Sequence, residues 1–266
     1  MQSDKYNIIV LIKKYLIYLQ YEQRMSANTI SSYWYDLKKY SNYISLSYKI
    51  KHVDKVKLKH INSYIASLSK YNLDKLSSSS IIRLISSIKG FHKYVCSQNI
   101  YTLDPSENID IPKKERKLPL VMKIEDIQTI LDEIKPNSRH YLRDYSIIEL
   151  MYSCGLRVTE IISLKLNNLV FDEQFVRIIG KGKKERFVPI NSHCMDFIIK
   201  YIETERTIYA KKNNTKGSVF LSNRGSSLSR MAIWNIFRKY LLQTKLNKDV
   251  TPHTLRHSFA SHLLEG

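Results

Sequence analysis

Glycine and proline are scarce in this chain, at seven and six of 266 residues. No run of about eighteen uncharged apolar residues occurs, so no segment is expected to span a membrane. The N-terminus has no short apolar core followed by a small-residue cleavage site, so no secretory signal is expected either. These absences exclude integral membrane proteins and predict a soluble protein.

Cysteine is rare as well. Cys96, Cys154 and Cys194 are far apart and form no CxxC pair. This spacing argues against a zinc site and against a disulfide framework. It is typical of a protein that works in a reducing cytoplasm.

Acidic residues are the third shortage. Forty-three Lys and Arg stand against twenty-four Asp and Glu, which gives a formal net charge of +19. The parts of the chain before and after residue 112 carry +8 and +11 of this excess. Two cationic folded units fit a polyanion that is held from two sides. A solvated, lysine-rich surface is the alternative explanation of the charge alone.

The first hundred residues have the periodicity of amphipathic helices. One apolar stripe covers residues 8–19, and a second follows Ser26, which is expected to cap its helix. Further helices are predicted over about residues 57–69 and from the serine run at 77–80 to Phe91. Because glycine is nearly absent and strand alternation is unconvincing, we expect a small all-helical bundle.

Residues 104–119, DPSENIDIPKKERKLP, interrupt this periodicity with three prolines and clustered charge, as a linker does. We therefore expect a helical domain over residues 1–108, a basic linker over 109–118 and a second domain over 119–266.

The second domain is predicted to be mostly helical, with one β-hairpin. Helices are expected over about 124–134 and 139–153, from Thr159, and again from about 193, with Gly155 as a C-terminal cap. QFVRIIGKGKKERFVPI contains two short β-prone runs around a Gly-Lys-Gly turn. The whole chain is thus expected to be mainly α, with a small β-hairpin or sheet in its second domain.

The stretch SCGLRVTEIISL places Arg157 just after a glycine-containing helix break, with Glu160 three residues later. An arginine at such a helix entry can be aimed at an anion, and Glu160 can orient it. A surface Arg–Glu pair, which is worth little energetically, is the alternative.

The tip of the predicted hairpin carries Lys181, Lys183, Lys184 and Arg186. A two-stranded ribbon fits a DNA groove, and a flexible Lys181 can donate a proton or stabilise charge on a phosphate. An ordinary solvated turn explains the same residues. The segment is not a Walker A loop, because it lacks the GxxxxGK[ST] spacing and the helix that should follow.

The stretch TPHTLRHSFASHLLEG, residues 251–266, places His253, Arg256 and His257 on one face of a helix. An arginine between two histidines suits an anion that needs both charge and proton transfer, as a phosphate in transfer does. A capped helix with satisfied histidines is one alternative. A two-histidine metal site is another, which the missing Glu after His253 and the charge of Arg256 disfavour.

The stretch WNIFRKY, residues 234–240, mixes aromatic and basic residues, and Arg230 lies nearby. Such a mixture can contact a nucleic-acid backbone. The i,i+3 spacing of Trp234 and Phe237 is more typical of a hydrophobic core, and we expect both side chains to belong to it.

GLRVTE, GKGKKERFVPI and TPHTLRHSFASHLL, in this order and at this spacing, closely resemble the tyrosine recombinase (phage integrase) family, and its Xer-type branch most. SANTISSYWYDLKKY and SSSSIIRLISSIKGFHKYV are similar to the family's SAM-like core-binding domain, and NIDIPKKERKLP to its linker. The resemblance implies an integrase-type catalytic domain and a two-domain clamp on duplex DNA. It also implies that strands are cut and rejoined through a 3′-phosphotyrosyl intermediate, in chromosome dimer resolution or mobile-element integration.

The resemblance implies roles for individual residues. Arg157 and Arg256 would clamp the scissile phosphate and stabilise charge in the transition state. Lys181 would protonate the leaving 5′ oxygen, and His253 would assist proton transfer. Electrostatic preorganisation and acid–base help would suffice, with no metal or cofactor.

Other residues would have supporting roles. Glu160 would orient the cluster, and His257 would assist it. The expected DNA contacts are basic residues of the hairpin and of the linker: Lys183, Lys184, Arg186, Lys113, Lys114, Arg116 and Lys117. The full-length form is expected to work as a homo- or hetero-tetramer of recombinase subunits on DNA.

The sequence departs from the family at its end. The further His and the nucleophilic Tyr that the family places after HTLRH have no counterpart in residues 1–266, and neither Tyr209 nor Tyr240 lies in a matching context. The expectation is a recombinase cut short, which binds DNA but does not cleave it alone. The alternatives are a DNA-binding regulator without catalysis and a metal-dependent phosphodiesterase that uses His253 and His257.

Overall fold

A computed structural model describes residues 5–72, 77–101, 103–112, 120–180 and 184–265. No helix in these ranges combines the length and the apolar character that a membrane crossing requires. The chain divides into two compact units, residues 1–116 and 117–266. Several predicted site residues lie outside the described residues: the catalytic Lys181 and the DNA contacts Lys113, Lys114, Arg116, Lys117 and Lys183.

The described part of the first unit is a bundle of helices. Their bounds are α1 (Ile8–Tyr21), α2 (Ala27–Tyr48), α3 (Leu58–Asn72) and α4 (Ser78–Ser97), with a 3-10 turn at Val53–Lys55. The hydroxyls of Ser26 and Ser77 accept hydrogen bonds from the backbone N–H groups of Thr29 and Ser80, which fixes the starts of α2 and α4. The helical bundle predicted from the periodicity is confirmed.

The core of the first unit comes from the predicted apolar stripes. The stripe of α1 is buried and packs against α2 and α4. His92 of α4 is fully buried among these side chains, where its ring nitrogens are hydrogen bonded to the hydroxyls of Tyr40 and Tyr101. Burial lowers the pKa of His92 to about 4, so the imidazole is neutral in the folded unit.

The described part of the second unit is mostly helical, with one small sheet. The helices are α5 (Ile124–Asp132), α6 (Tyr141–Ser153), α7 (Val158–Ser163), α8 (Ser192–Glu203), α9 (Glu205–Ala210), α10 (Arg230–Leu241) and α11 (Pro252–Glu265). The strands are β1 (Leu169–Val170), β2 (Phe175–Ile179) and β3 (Glu185–Pro189), in the antiparallel order β1-β2-β3. β2 and β3 are the predicted hairpin, and the short β1 adds a third strand for which no sequence pattern was identified.

Helix α6 is the centre of the second unit and packs against α8, α10 and α11. Its buried Asp144 accepts hydrogen bonds from the neighbouring Arg143 guanidinium and, at 2.9 Å, from the hydroxyl of Tyr240 on α10. Arg143 also donates to the backbone carbonyl of Leu221. Both charged groups of this buried network have hydrogen-bond partners, and the network joins α10 to α6.

Candidate active site

Glu160 lies at the centre of a cluster of three arginines. Its carboxylate is bound by Arg157 and Arg186, and a nitrogen of Arg256 lies 3.6 Å from its Oε2. The three arginines come from three separate parts of the fold: the start of α7, strand β3 and helix α11. The fold therefore gathers positive charge around one carboxylate from positions that are distant in sequence.

The turn between α6 and α7 positions Arg157. Gly155 ends α6 with a positive φ of 56°, a conformation that favours glycine, and the chain then enters α7 at once. Arg157 is the residue before the first turn of α7, and its backbone N–H donates to Glu160 Oε2 at 2.8 Å. The Arg157 Nη1 atom donates to Oε1 of the same carboxylate at 3.1 Å. The predicted Arg157–Glu160 pair thus exists, with a buried carboxylate rather than as a surface pair.

Arg186 makes the strongest contact with Glu160. Its Nη1 and Nη2 atoms donate to Oε1 and Oε2, both at 2.9 Å, in the parallel geometry that suits an Arg–carboxylate pair. The strand register explains the contact, because Arg186 is paired with the buried Ile178 and so lies on the core side of β3. No alternation in the sequence of β3 predicts this inward position, because Glu185 and Arg186 are both charged and the exposed Phe187 follows them.

Helix α11 brings Arg256 to the cluster. The buried Ser258 hydroxyl accepts a hydrogen bond from the backbone N–H of Met122 and donates to the carbonyl of Thr254, which anchors the helix. Arg256 Nη1 donates to the backbone carbonyl of Gly155, in the turn that also presents Arg157. The two arginines named in the sequence are therefore brought together, although about a hundred residues separate them.

The cluster is exposed on its cationic side. The Glu160 side chain is 5% exposed, whereas the Arg157, Arg186 and Arg256 side chains are 53%, 38% and 30% exposed. Burial raises the pKa of Glu160, but hydrogen bonds from Arg186 and Arg157 outweigh this effect and hold the pKa below its ordinary value. One ionised carboxylate among three guanidinium groups leaves a net positive charge, which suits an anion such as a phosphate.

His253 and His257 lie on α11 with Arg256, one helical turn and one residue away from it, and both side chains are exposed. Partial desolvation of the ring, followed by the charge of Arg230 and then of His257 and Arg256, lowers the pKa of His253. The imidazole of His253 is therefore neutral at neutral pH and able to accept a proton. In the part of the chain that the structure describes, no cluster of three or more His, Cys, Asp or Glu could hold a metal ion.

Two tyrosines that the sequence left unassigned are held in structural contacts. The hydroxyl of the buried Tyr240 donates to Asp144, and the hydroxyl of the buried Tyr209 is hydrogen bonded to Nδ1 of His140. Burial raises the pKa of Tyr240, which makes its phenolate less accessible. Neither hydroxyl belongs to the arginine cluster.

The prediction for WNIFRKY was half wrong. Phe237 is buried as expected, but Trp234 is 43% exposed and lies on the outer side of α10. The buried positions of this helix are Ile233, Ile236, Phe237, Tyr240 and Leu241. They form a stripe that already faces the core, so the i,i+3 spacing of two aromatic residues did not place both of them in it.

The fold and the arginine cluster agree with the families that the sequence matches. Residues 121–266 match the phage integrase family, and residues 12–99 match the family described as phage integrase, N-terminal SAM-like domain. The chain belongs to the phage integrase family of tyrosine recombinases, and the resemblance seen in its motifs is confirmed.

The chain is also similar to individual Xer-type recombinases. The chain is 40% identical to the tyrosine recombinase XerD of Staphylococcus epidermidis and 38% identical to that of Staphylococcus aureus, each over 256 residues. These alignments cover 96% of this chain and 85% of either relative. Among solved structures, the Tn1549 transposon integrase in complex with a circular intermediate DNA has a TM-score of 0.75 and 16% identity, over 98% of this chain and 87% of that chain. This second likeness shows a shared fold.

Proposed function

We propose that this protein carries out site-specific recombination of duplex DNA, in which strands are cut and rejoined through a 3′-phosphotyrosyl link. The observation that carries the proposal is the buried Glu160 carboxylate with Arg157 and Arg256 gathered on its exposed side. The likeness to XerD favours chromosome dimer resolution over mobile-element integration or excision.

Arg157 and Arg256 bind the scissile phosphate in this proposal. Their partly exposed guanidinium groups present planar donors to the non-bridging oxygens and offset the charge that grows there in the transition state. Glu160 and the carbonyl of Gly155 hold the two side chains before DNA arrives. Little reorganisation is then needed at the moment of reaction.

Two other residues, Lys181 and His253, carry out the proton transfers. Lys181, which lies between β2 and β3 in the sequence, protonates the leaving 5′ oxygen. His253, which is neutral at neutral pH, exchanges a proton at the phosphate, and His257 assists from the next turn of α11. Neither a metal nor a cofactor takes part in these steps.

The remaining basic residues hold the DNA. Lys184 is exposed beside β3, and with Lys183 it contacts the backbone near the cleavage point. The linker residues Lys113, Lys114, Arg116 and Lys117 contact further phosphates of the DNA backbone. Arg186 contributes mainly through Glu160, because both ends of its guanidinium are hydrogen bonded there. On DNA the subunits form a homo- or hetero-tetramer.

The nucleophile is a tyrosine hydroxyl that attacks the phosphorus, forms the phosphotyrosyl bond and releases the 5′ hydroxyl. No tyrosine of residues 1–266 lies in the sequence context that the family resemblance requires. A polypeptide of these 266 residues is therefore expected to bind its half-site but not to cleave it alone.

The salt dependence of DNA binding tests the proposal. With about six to ten phosphate contacts, the affinity of the polypeptide for duplex DNA should fall by roughly three to five orders of magnitude between 50 and 200 mM salt. The double variant Arg157→Ala, Arg256→Ala should bind more weakly, with a slope of log K against log salt that is less steep by about 2. Mobility-shift titrations at five salt concentrations measure both quantities.

The competing functions give different results. A flat salt response, or a double variant that binds as well as the parent, contradicts the proposal. Cleavage that appears only with added divalent metal supports a phosphodiesterase. A protein from the native gene that binds a half-site but leaves no covalent adduct on a nicked duplex supports a regulator that occupies recombination sites.

A further inference from the structure

An open cavity lies directly beside His253, and none of the roles proposed so far uses it. Its volume is about 430 Å³. Its apolar wall consists of Val158, Met231, Trp234 and Pro252. Much of the indole of Trp234 faces solvent at this cavity, although large aromatic side chains are costly to leave exposed.

The exposure of Trp234 follows from the way α10 is held. Ile233 and Phe237 of the same helix are buried, and the Ser229 hydroxyl caps its start by accepting from the backbone N–H of Ala232. Because these contacts fix the rotation of α10, Trp234 cannot turn into the core. The indole is therefore a permanent feature of the surface.

The charges around this cavity have one sign. Arg230 and His253 line it, and none of the lining residues that the structure describes is acidic. The Arg238 guanidinium lies 5.8 Å from the centroid of the Trp234 ring, within the range of a cation–π contact. An aromatic face between two arginines suits a nucleotide, whose base and sugar are apolar on one side and whose phosphates are anionic.

We propose that this cavity receives the nucleotide next to the scissile phosphate, with its deoxyribose and base edge packed against Trp234. This inference rests on the proposed function, because His253 adjoins the scissile phosphate only if the arginine cluster binds that phosphate. Trp234 is then a positioning residue: it prevents the DNA strand from sliding along its own axis relative to Arg157 and Arg256. Arg230 binds the phosphate on the far side of the nucleotide.

The two tryptophans of the chain, Trp34 and Trp234, make a direct test possible. In the variant Trp34→Phe, Trp234 is the only tryptophan, and its quenching by acrylamide is measured with and without saturating duplex DNA. We expect DNA to lower the quenching constant at least about twofold, because stacking or close packing excludes the quencher. The variant Trp234→Phe reports the change at Trp34, in the first unit, and is the matched control.

Affinity measurements separate packing from charge. Trp234→Ala should weaken DNA binding about tenfold and Trp234→Phe by less than about threefold, both without a change in the salt slope. Arg230→Gln should make the slope less steep by about 1. Ile208→Ala, which shortens an exposed apolar side chain of α9, should leave both affinity and slope unchanged.

The outcomes distinguish this inference from the function on which it rests. If DNA binds and the quenching of Trp234 does not change, the nucleotide does not occupy the cavity, and the recombinase function still stands. If the Trp34→Phe variant binds no DNA even at about 50 mM salt, both proposals fail.

Discussion

Glu160 has an unusual balance of burial and charge for a single residue. Its carboxylate is almost fully enclosed, yet it remains ionised because the guanidinium groups of Arg157 and Arg186 donate to it. Removal of this one charge would leave three arginines close together without a counter-ion. The residue therefore holds the cluster together and orients it before any DNA is bound.

We expect Glu160→Gln to destabilise the second unit by about 2 kcal/mol, since charge-assisted hydrogen bonds to Arg186 and Arg157 are lost. The pKa of Glu160 is lower in the folded than in the unfolded state, so stability also depends on pH. The stabilisation by the ionised carboxylate is fully present above the unfolded pKa and is lost as the pH falls through the folded pKa. The difference in stability between parent and variant should therefore shrink on acidification. Urea unfolding at pH 7 and pH 3.5 measures it, with the exposed Glu173→Gln as control.

Gly155 is the second residue on which the cluster depends. A Cβ atom at this position would collide with the ring of Phe259 on α11, and the backbone φ is positive. We expect Gly155→Ala to cost about 2–4 kcal/mol and to weaken DNA binding, because α11 and Arg256 would have to move. Gly217→Ala is the matched control: its φ is also positive, at 73°, but the added Cβ meets nothing within 4 Å. Equal losses of stability in the two variants would argue against the collision.

At the scale of elements, most helices could be predicted because their signals are local. The stripe of α1 and the capping serines of α2 and α4 are visible within one or two turns of sequence. The Gly-Lys-Gly sequence between two β-prone runs likewise predicted the hairpin of β2 and β3. Such signals need no knowledge of what the element will pack against.

The remaining features depended on tertiary contacts. β1 is two residues long, too short for any period to show, and exists because Leu169 and Val170 pair with β2. The contact between Arg186 and Glu160 joins a strand to a helix 26 residues away, and only the sheet register reveals it. Trp234 was misplaced because two apolar residues one turn apart do not specify which face of α10 meets the core.

The buried hydrogen bond from Tyr240 of α10 to Asp144 of α6 provides a test at this scale. Tyr240→Phe removes the donor to Asp144 and leaves a buried carboxylate oxygen with one partner fewer. We expect a loss of about 1–3 kcal/mol in the free energy of unfolding. Thermal unfolding measures it, and Tyr35→Phe, whose ring is exposed, should change the midpoint little.

At the scale of the whole molecule, we expect acidic pH to lower the free energy of unfolding of the first unit. His92 has a pKa of about 4 in the folded unit because it is fully buried, although the charge of Asp104 opposes this shift. Below about pH 6.5 the unfolded chain binds a proton that the folded unit does not, so stability falls until about pH 4, by roughly 3 kcal/mol. Urea unfolding between pH 7.5 and 4 measures this loss.

The variant His92→Gln, which cannot titrate, is the control for that measurement. It is expected to be less stable at pH 7, because a glutamine fits the hydroxyls of Tyr40 and Tyr101 less well. Its stability should nevertheless depend less on pH across this range. A parent and variant with the same pH dependence would show that His92 does not account for the acid sensitivity.

The contacts of α11 determine when the arginine cluster can form during synthesis of the chain. Arg256 reaches Gly155 across 101 residues of chain, and Ser258 reaches Met122 across 136. A ribosome makes the chain from its N-terminus, so the first unit can fold while α11 is still unmade. Until α11 has been synthesised, only two arginines of the cluster, Arg157 and Arg186, can bind Glu160. A nascent chain without α11 therefore lacks Arg256, and the cluster of three arginines around Glu160 is complete only after α11 has been translated.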